Sequence, residues 1–382
     1  MTTPRILCVS FSPIHQDSRV LRQLTVLKDF GEVTTVGYGE APCDASFHIR
    51  IPDTASSLPQ TVGGVARLAL RRHRAVELKA PGEQAVLAEA TASGPYNLVV
   101  ANDARALPLA FAAAQGAPVY VDMHEWAMSE NSSNLAWRLL VGPYMDALCR
   151  RYLPQAAAVT TVGQEISRLY ATRYGIAQPT LVRNAGPFQE LTPASLQPGA
   201  IRLVHAGMAV PKRNIESLID ATLLLDERFT LDLYLVPVDT DSYINSLKSR
   251  ARGSTRIRFH DPVATVDLPR ALNQYDIGVY LLPIKSLNHR LMLPNKFFDF
   301  IQARLGVIFG PSVETDRLIT RFGVGEVARG WEAKDLVAVL EHLSDEDIAR
   351  FKSAAHVAAF DLSSDSDVKV QHDVLSTILR RH

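Results

Sequence analysis

The chain has 382 residues, of which 47% are hydrophobic and 21% charged, and its 40 basic side chains are matched by 40 acidic ones. This composition excludes a disordered polypeptide, and the even spread of charge over both halves excludes duplex nucleic acid as the main partner. Cys8, Cys43 and Cys149 are too few and too scattered for a disulfide framework or a zinc site, and fit the reduced thiols of a cytosolic protein.

The length predicts two domains. At the N-terminus Arg5 runs straight into ILCVSFS, which reads as a strand and not as a signal peptide. No apolar run reaches the roughly 18–20 residues a membrane span needs. In residues 1–190 the strand candidates are 5–12, 32–39, 96–103, 118–125 and 157–163. A helix from Ser18 to Phe30 places Val20, Leu21, Leu24 and Leu27 on one face. Residues 191–199, with two prolines and a glycine, have linker composition. The pattern restarts in residues 200–367, with strands at 201–207, 231–237, 256–262, 277–283 and 305–311 and helices from Arg213 to Leu225 and Lys296 to Ala303. Residues 368–382 form a C-terminal helix, amphipathic from Val368 to Leu379, expected to pack back on the first domain.

Continuous β-branched strands alternating with helices predict an α/β fold: two facing Rossmann-like, doubly wound domains with ligands in the cleft at the carboxyl ends of the strands. No G-x-G-x-x-G follows a strand, which argues against a dinucleotide cofactor, and no Walker lysine motif is present.

Two segments carry chemistry. In SLNHRLMLPNKFFDFIQARLGVIFGP (286–311), Pro294 precedes a helix whose first turn holds Asn295, Lys296 and Asp299. A helix N-terminus offers unpaired N–H groups and a positive dipole end, an anion site that Lys296 would strengthen. Asp299 can accept from a pair of neighbouring hydroxyls; alternatively it forms an i,i+3 ion pair with Lys296. In LVHAGMAVPKRNIESLIDA (203–221) a strand ends at Gly207, and Lys212 and Arg213 stand where the next helix begins. They can grip a phosphate or be solvated loop residues.

These segments resemble the nucleotide-binding domain of GT-B-fold retaining glycosyltransferases of the glycosyltransferase family 4 type. LPNKFFDF resembles the family's donor-site motif, GMAVPKRNIESLI its glycine-to-basic loop, and RFHDPVATVDLPRALNQYDIGVYLLP the stretch flanking its base pocket. HQDSRVLRQLTVLKDFGEVTTVGYG, VVAND, VDMHE and the TTVGQEISRLYATRYG to NAGPF region are similar to acceptor-domain segments, in the family's order. The resemblance implies an enzyme that moves a sugar from a nucleoside-diphosphate sugar to a hydroxyl of a glycan or lipid-linked acceptor in cell-surface polysaccharide assembly, with retention and without a metal.

It further implies that Arg213, helped by Lys212, and the amides around Asn295 and Lys296 hold the diphosphate. Asp299 would bind the ribose, His260 to Val263 would line the base, and His124 would reach the donor sugar. Gly207 would let the ligand approach the backbone. Leu291 stands where the family often has a glutamate, and Asn288 or His289 is the nearby substitute; Met208 and Ser12-Pro13-Ile14-His15 also depart from the pattern. A sugar-nucleotide epimerase and a nucleotide-binding scaffold without turnover are the alternative readings.

On the acceptor side, Asp17 and Arg19 open the first helix and Asn102 and Asp103 end a strand; Asp17 equally suits an N-cap. Glu125 is placed to orient His124. Arg67, Arg71, Arg72 and Arg74 make a basic stretch that reads as a solvated helix face or as a peripheral contact with an anionic membrane surface. The expected location is the cytoplasm, or peripherally the inner face of the membrane.

Overall fold

The computed structural model describes residues 3–131, 134–238 and 242–381, which divide into two compact units. The first comprises residues 1–183, 286–288 and 367–382; the second comprises 184–285 and 289–366. The stretch 191–199 thus lies within the second unit, where the carbonyls of Thr192 and Ser195 accept from Asn273 and Arg202.

The first unit holds seven strands: β1 (Arg5–Pro13), β2 (Glu32–Tyr38), β3 (Phe47–Ile51), β4 (Leu98–Asn102), β5 (Val119–Met123), β6 (Ala158–Thr161) and β7 (Thr180–Leu181). They form one parallel sheet in the order β3-β2-β1-β4-β5-β6-β7. Ile6, Leu7, Cys8 and Val9 are all fully buried, so β1 is covered on both faces, the usual state of a parallel sheet. The sequence reading passed over β3, where His48 and Arg50 interrupt a short apolar alternation.

The C-terminal helix (Ser364–Arg381) delivers residues 367–381 to this unit. Leu375 and Ile378 join the core that holds Ile6, Val20, Leu24 and Leu98. Arg183 pairs with Asp367 at 2.9 Å, and Gln371 donates to the Tyr120 hydroxyl at 3.3 Å.

The second unit holds β8 (Ile201–Met208), β9 (Phe229–Val236), β10 (Ile257–His260), β11 (Ile277–Tyr280), β12 (Gly306–Phe309) and β13 (Gly325–Val327). They form a parallel sheet in the order β10-β9-β8-β11-β12-β13. Successive strand residues serve opposite cores: Leu203 and Val279 pack with Leu231 and Ile308, whereas Val204 and Tyr280 pack with Phe297 and Phe309. The helix expected from Arg213 begins later, at Ile215, because Asn214 takes the left-handed conformation (φ 57°) and closes a 3₁₀ turn over Pro211–Arg213.

In both sheets the strand order reverses at the first strand, between β1 and β4 and between β8 and β11. Such switch points open a crevice at the carboxyl ends of the strands. The helix Asn295–Gln302 is set against β11 by one close approach: a Cβ at Gly278 would lie 2.3 Å from the Phe300 ring. Gly278→Ala therefore overpacks this contact, and we expect a loss of about 1–3 kcal/mol in chemical denaturation. Unchanged stability would mean that Phe300 does not fix the helix.

Candidate functional site

At the switch point of the second sheet, Gly207, the last residue but one of β8, has φ +153°, a backbone conformation that favours glycine. A Cβ there would fall 2.8 Å from Cε of Lys296, so the missing side chain is what lets the lysine lie across the strand end. Lys296 comes from the first turn of the helix Asn295–Gln302, and its Nζ stands 3.5 Å from Asp299 Oδ2. The i,i+3 ion pair is therefore present. Burial raises the Asp299 carboxyl above its usual range, against the pull of Lys296. Asn295 accepts at Oδ1 from the Asn184 amide at 3.3 Å.

Arg213 reaches the same strand ends from the turn after β8. It donates to the Tyr280 hydroxyl at 3.1 Å and pairs with no carboxylate among the described residues. Tyr280 is buried and stacks on His205, with ring centroids 5.8 Å apart and planes 7° apart. His205 Nδ1 donates to the Val279 carbonyl at 3.0 Å, which fixes the neutral tautomer with Nε2 as a lone pair. Burial and the charges of Lys296 and Arg213 push this imidazole down to about 4. Burial together with Arg213, Lys285 and Lys212 likewise lowers His289. Lys212 and Lys285 are exposed, so four cationic side chains gather on this side of the unit.

The remaining donor-side candidates separate. His260 donates from Nε2 to buried Asp232 at 2.5 Å and stacks on Tyr234 at 4.5 Å, which commits its ring to the β9–β10 edge. Val263 is partly buried against the core containing Leu268 and Tyr275. Asn288 belongs to the first unit, where its amide donates to Glu125 at 2.7 Å. Leu291 is buried and Met208 is exposed.

At the switch point of the first sheet a polar network is sealed inside. Asp122, 1% exposed, receives Arg19 bidentately, Nε at 2.9 Å and Nη2 at 2.7 Å, and Thr160 at 2.7 Å. Against the cost of burial, Arg19 and His124 hold the Asp122 carboxyl far below the usual carboxylate range. Arg19 is thus turned inward onto Asp122. Asp17 caps the helix Ser18–Lys28, taking the amides of Arg19 and Val20 at 3.2 Å each, while its other oxygen accepts from Ser12.

Asn102 and Asp103 clamp His124. Asp103, at φ +64°, accepts the His124 backbone N–H at 2.8 Å and faces Nδ1 at 3.2 Å. Nε2 lies 3.2 Å from Asn102 Oδ1 and 3.4 Å from Asp122 Oδ2. The Asn102 amide is spent on Gln23 at 2.9 Å, so its oxygen is the atom turned to the ring. Both ring nitrogens meet acceptors, which suits a doubly protonated imidazolium. Burial lowers its proton affinity, yet Asp103 and Asp122 more than reverse that, and the pKa is raised. The expected Glu125–His124 contact does not form: Glu125 turns to Asn288, and burial with Asp103 and Glu130 raises its carboxyl to about 7.

The sequence reading missed Asp122, His205, Tyr280 and Lys285. A lone acid in VYVDM and a lone histidine in RLVHAG, each inside a buried strand, were readable signals of an internal partner; Tyr280 carried none.

A search for matching family models and curated proteins finds none. Solved structures do match over the whole chain. HepE of Anabaena in complex with UDP and glucose is 16% identical, with a TM-score of 0.66 over 98% of this chain and 100% of that one. A glycosyltransferase from Rickettsia africae is 12% identical, with a TM-score of 0.71 over all of both chains. Sucrose-phosphate synthase from Thermosynechococcus elongatus is 14% identical, with a TM-score of 0.70 over 99% and 100%. The chain therefore shares the α/β GT-B fold of these proteins.

Asp122→Ala leaves Arg19 buried without its partner, and we expect a loss of about 3–5 kcal/mol. A loss under about 1 kcal/mol in urea unfolding would show that the pair is not buried in solution. His124, raised in the folded state, contributes stability that is full below its unfolded value near ~6.5 and is lost as pH rises through the folded value. The His124→Gln variant should lack that alkaline loss; stability curves that run parallel above pH ~6.5 would overturn the imidazolium assignment.

Proposed function

We propose that the chain is a retaining, metal-independent glycosyltransferase. It moves a sugar from a nucleoside-diphosphate sugar to a hydroxyl of a glycan or lipid-linked acceptor in cell-surface polysaccharide assembly. The observation that carries this reading is the cationic strand end of the second unit, where Lys296 crosses Gly207 beside Arg213. Support comes from fold neighbours whose structures hold UDP, or UDP and glucose, or UDP-glucose.

Breaking the bond from sugar to phosphate builds negative charge on the departing diphosphate. Arg213, Lys212, Lys296 and the amides of the helix N-terminus at Asn295 are the groups that would stabilise it, as preorganised charges facing the place where charge develops. These cations would do the work a divalent metal does elsewhere. With retention, the leaving phosphate oxygen takes the proton of the acceptor hydroxyl, the new glycosidic bond forms on the face the diphosphate leaves, and no side chain becomes a nucleophile. Asp299 would accept from the ribose hydroxyls, and the segment His260 to Val263 would line the base through its backbone. His124, as an imidazolium, is suited to donate to a sugar hydroxyl and unsuited to act as a base.

A lipid-carried acceptor would bring the protein to the cytoplasmic membrane face. Calorimetry with UDP, GDP, ADP and dTDP tests the donor site. One nucleotide should bind, and Arg213→Ala should weaken it by about 1.5–3 kcal/mol, roughly 10- to 100-fold. Binding of none, or an affinity indifferent to Arg213→Ala, would overturn the assignment. Incubation with the nucleotide sugar and no acceptor should leave the sugar unaltered; an epimerised sugar would replace transfer with isomerisation.

A further inference from the structure

Among the described residues no helix is long and apolar enough to cross a membrane. The first unit nevertheless carries an apolar helix face turned to solvent. In the helix Val62–Ala69 the buried residues are Gly64 and Leu68, one turn apart on one side. Val62, Val65, Ala66 and Ala69 follow the i, i+3, i+4, i+7 spacing of a single stripe, and all are exposed, Val62 to 90%. At 100° per residue the stripe is centred about 130° from the buried pair. It is therefore the wrong face for the core of this unit. Leu70, 67% exposed, extends it past the helix end.

A second segment joins it in space, not in sequence. The helix packs against the turn of π-helix Trp137–Val141, which with the residues before it exposes Leu135 to 63% and Leu139 to 55%. Arg71, Arg72 and Arg74 follow the helix end and Arg138 stands between Leu135 and Leu139, whereas Arg67, with its guanidinium over Gly63, is on the flank turned away from the stripe. All five are exposed, and none forms an ion pair among the described residues. The helix itself contains no acid.

We infer that this bipartite face docks the protein on an anionic lipid surface, with Val62, Val65, Leu70, Leu135 and Leu139 entering the interface and Arg71, Arg72, Arg74 and Arg138 meeting the headgroups. Charge complementarity names the occupant: unpaired guanidinium groups of Arg71, Arg72, Arg74 and Arg138 neighbour the apolar side chains, the combination found in interfacial helices. The shape agrees. The aliphatics project singly, and a fluid lipid layer accepts projecting side chains without a matching mould. Protein interfaces are enriched in aromatics, and the one aromatic residue of this region, Trp137, is buried. The inference does not depend on the glycosyl-transfer reading, because it concerns a surface and no reaction.

The test is flotation of the full chain with vesicles of phosphatidylcholine alone and of phosphatidylcholine with 30% phosphatidylglycerol as a chosen probe. The protein should float with the anionic vesicles only. Arg71→Ser/Arg72→Ser should lower the partition about 25-fold, near fivefold for each charge removed. Leu70→Ser/Leu139→Ser should abolish the part of binding that persists at high salt, where charge attraction is screened. Every substituted side chain is exposed, and an unchanged melting temperature confirms that each variant is folded. No flotation with anionic vesicles at low salt, or partition indifferent to both variants, overturns the proposal. So does sedimentation showing a dimer that Leu70→Ser/Leu139→Ser dissolves, because the face would then belong to a second copy.

Discussion

A carboxylate inside a parallel sheet must be paired, and Asp122 meets that requirement by taking Arg19 through both oxygens. Much of the first unit follows from this pair. It fixes the start of the helix Ser18–Lys28 against the end of β5, and Thr160 ties β6 to the same carboxylate. The negative charge left over then meets His124. Removing one partner would strand the other in a medium where an unpaired charge costs several kcal/mol. The polar set consequently behaves as one object. Asn102, Gln23, Asp103 and His124 have their orientations set by bonds that trace back to Asp122.

The second unit uses the equivalent place in its sheet in the opposite way. Its first strand has a glycine one residue from its end and its neighbour ends in a tyrosine, and neither brings a carboxylate to neutralise what arrives. His205 is kept neutral by burial and by the cations near it, against the opposite pull of its bond to the Val279 carbonyl. Arg213 leans on a phenol, a partner that orients a guanidinium without cancelling its charge. Asp299 alone offsets Lys296, at 3.5 Å and with its own ionisation opposed by burial. Two sheets of the same winding thus end in one crevice that is internally neutralised and another that is left positive.

The layers were legible because near-continuous runs such as ILCV and GVIF have no other use than a doubly covered strand. The cationic residues of the donor side were also legible, since Lys296 after a proline and Arg213 after a strand-ending glycine are unusual placements. What escaped was anything decided by orientation. Arg19 and Asp17 open the same helix, yet one turns in and the other caps it. Asn288 lies within the donor-side segment in sequence, yet it bonds to Glu125 in the first unit. The start of the helix at Ile215 hangs on the backbone of Asn214, a residue that enters the left-handed region more readily than most, but whose sequence does not announce it.

The distribution of paired and unpaired arginines makes the same point from the surface. Arg19, Arg183 and Arg202, each largely buried, face Asp122, Asp367 and Asp276 at 2.7, 2.9 and 2.8 Å. A buried guanidinium must find acceptors inside the fold, carboxylates for these three and main-chain carbonyls for Arg304. Exposed arginines are under no such demand, since water serves them and a surface ion pair adds little. Where several exposed arginines stand together without acids, stability of the fold therefore does not account for the grouping. Arg71, Arg72, Arg74 and Arg138 are in that position, beside aliphatic side chains that hydration does not favour. Exposed apolar side chains and a neighbouring group of like charges without acids have a common match in a surface that is anionic outside and hydrocarbon within.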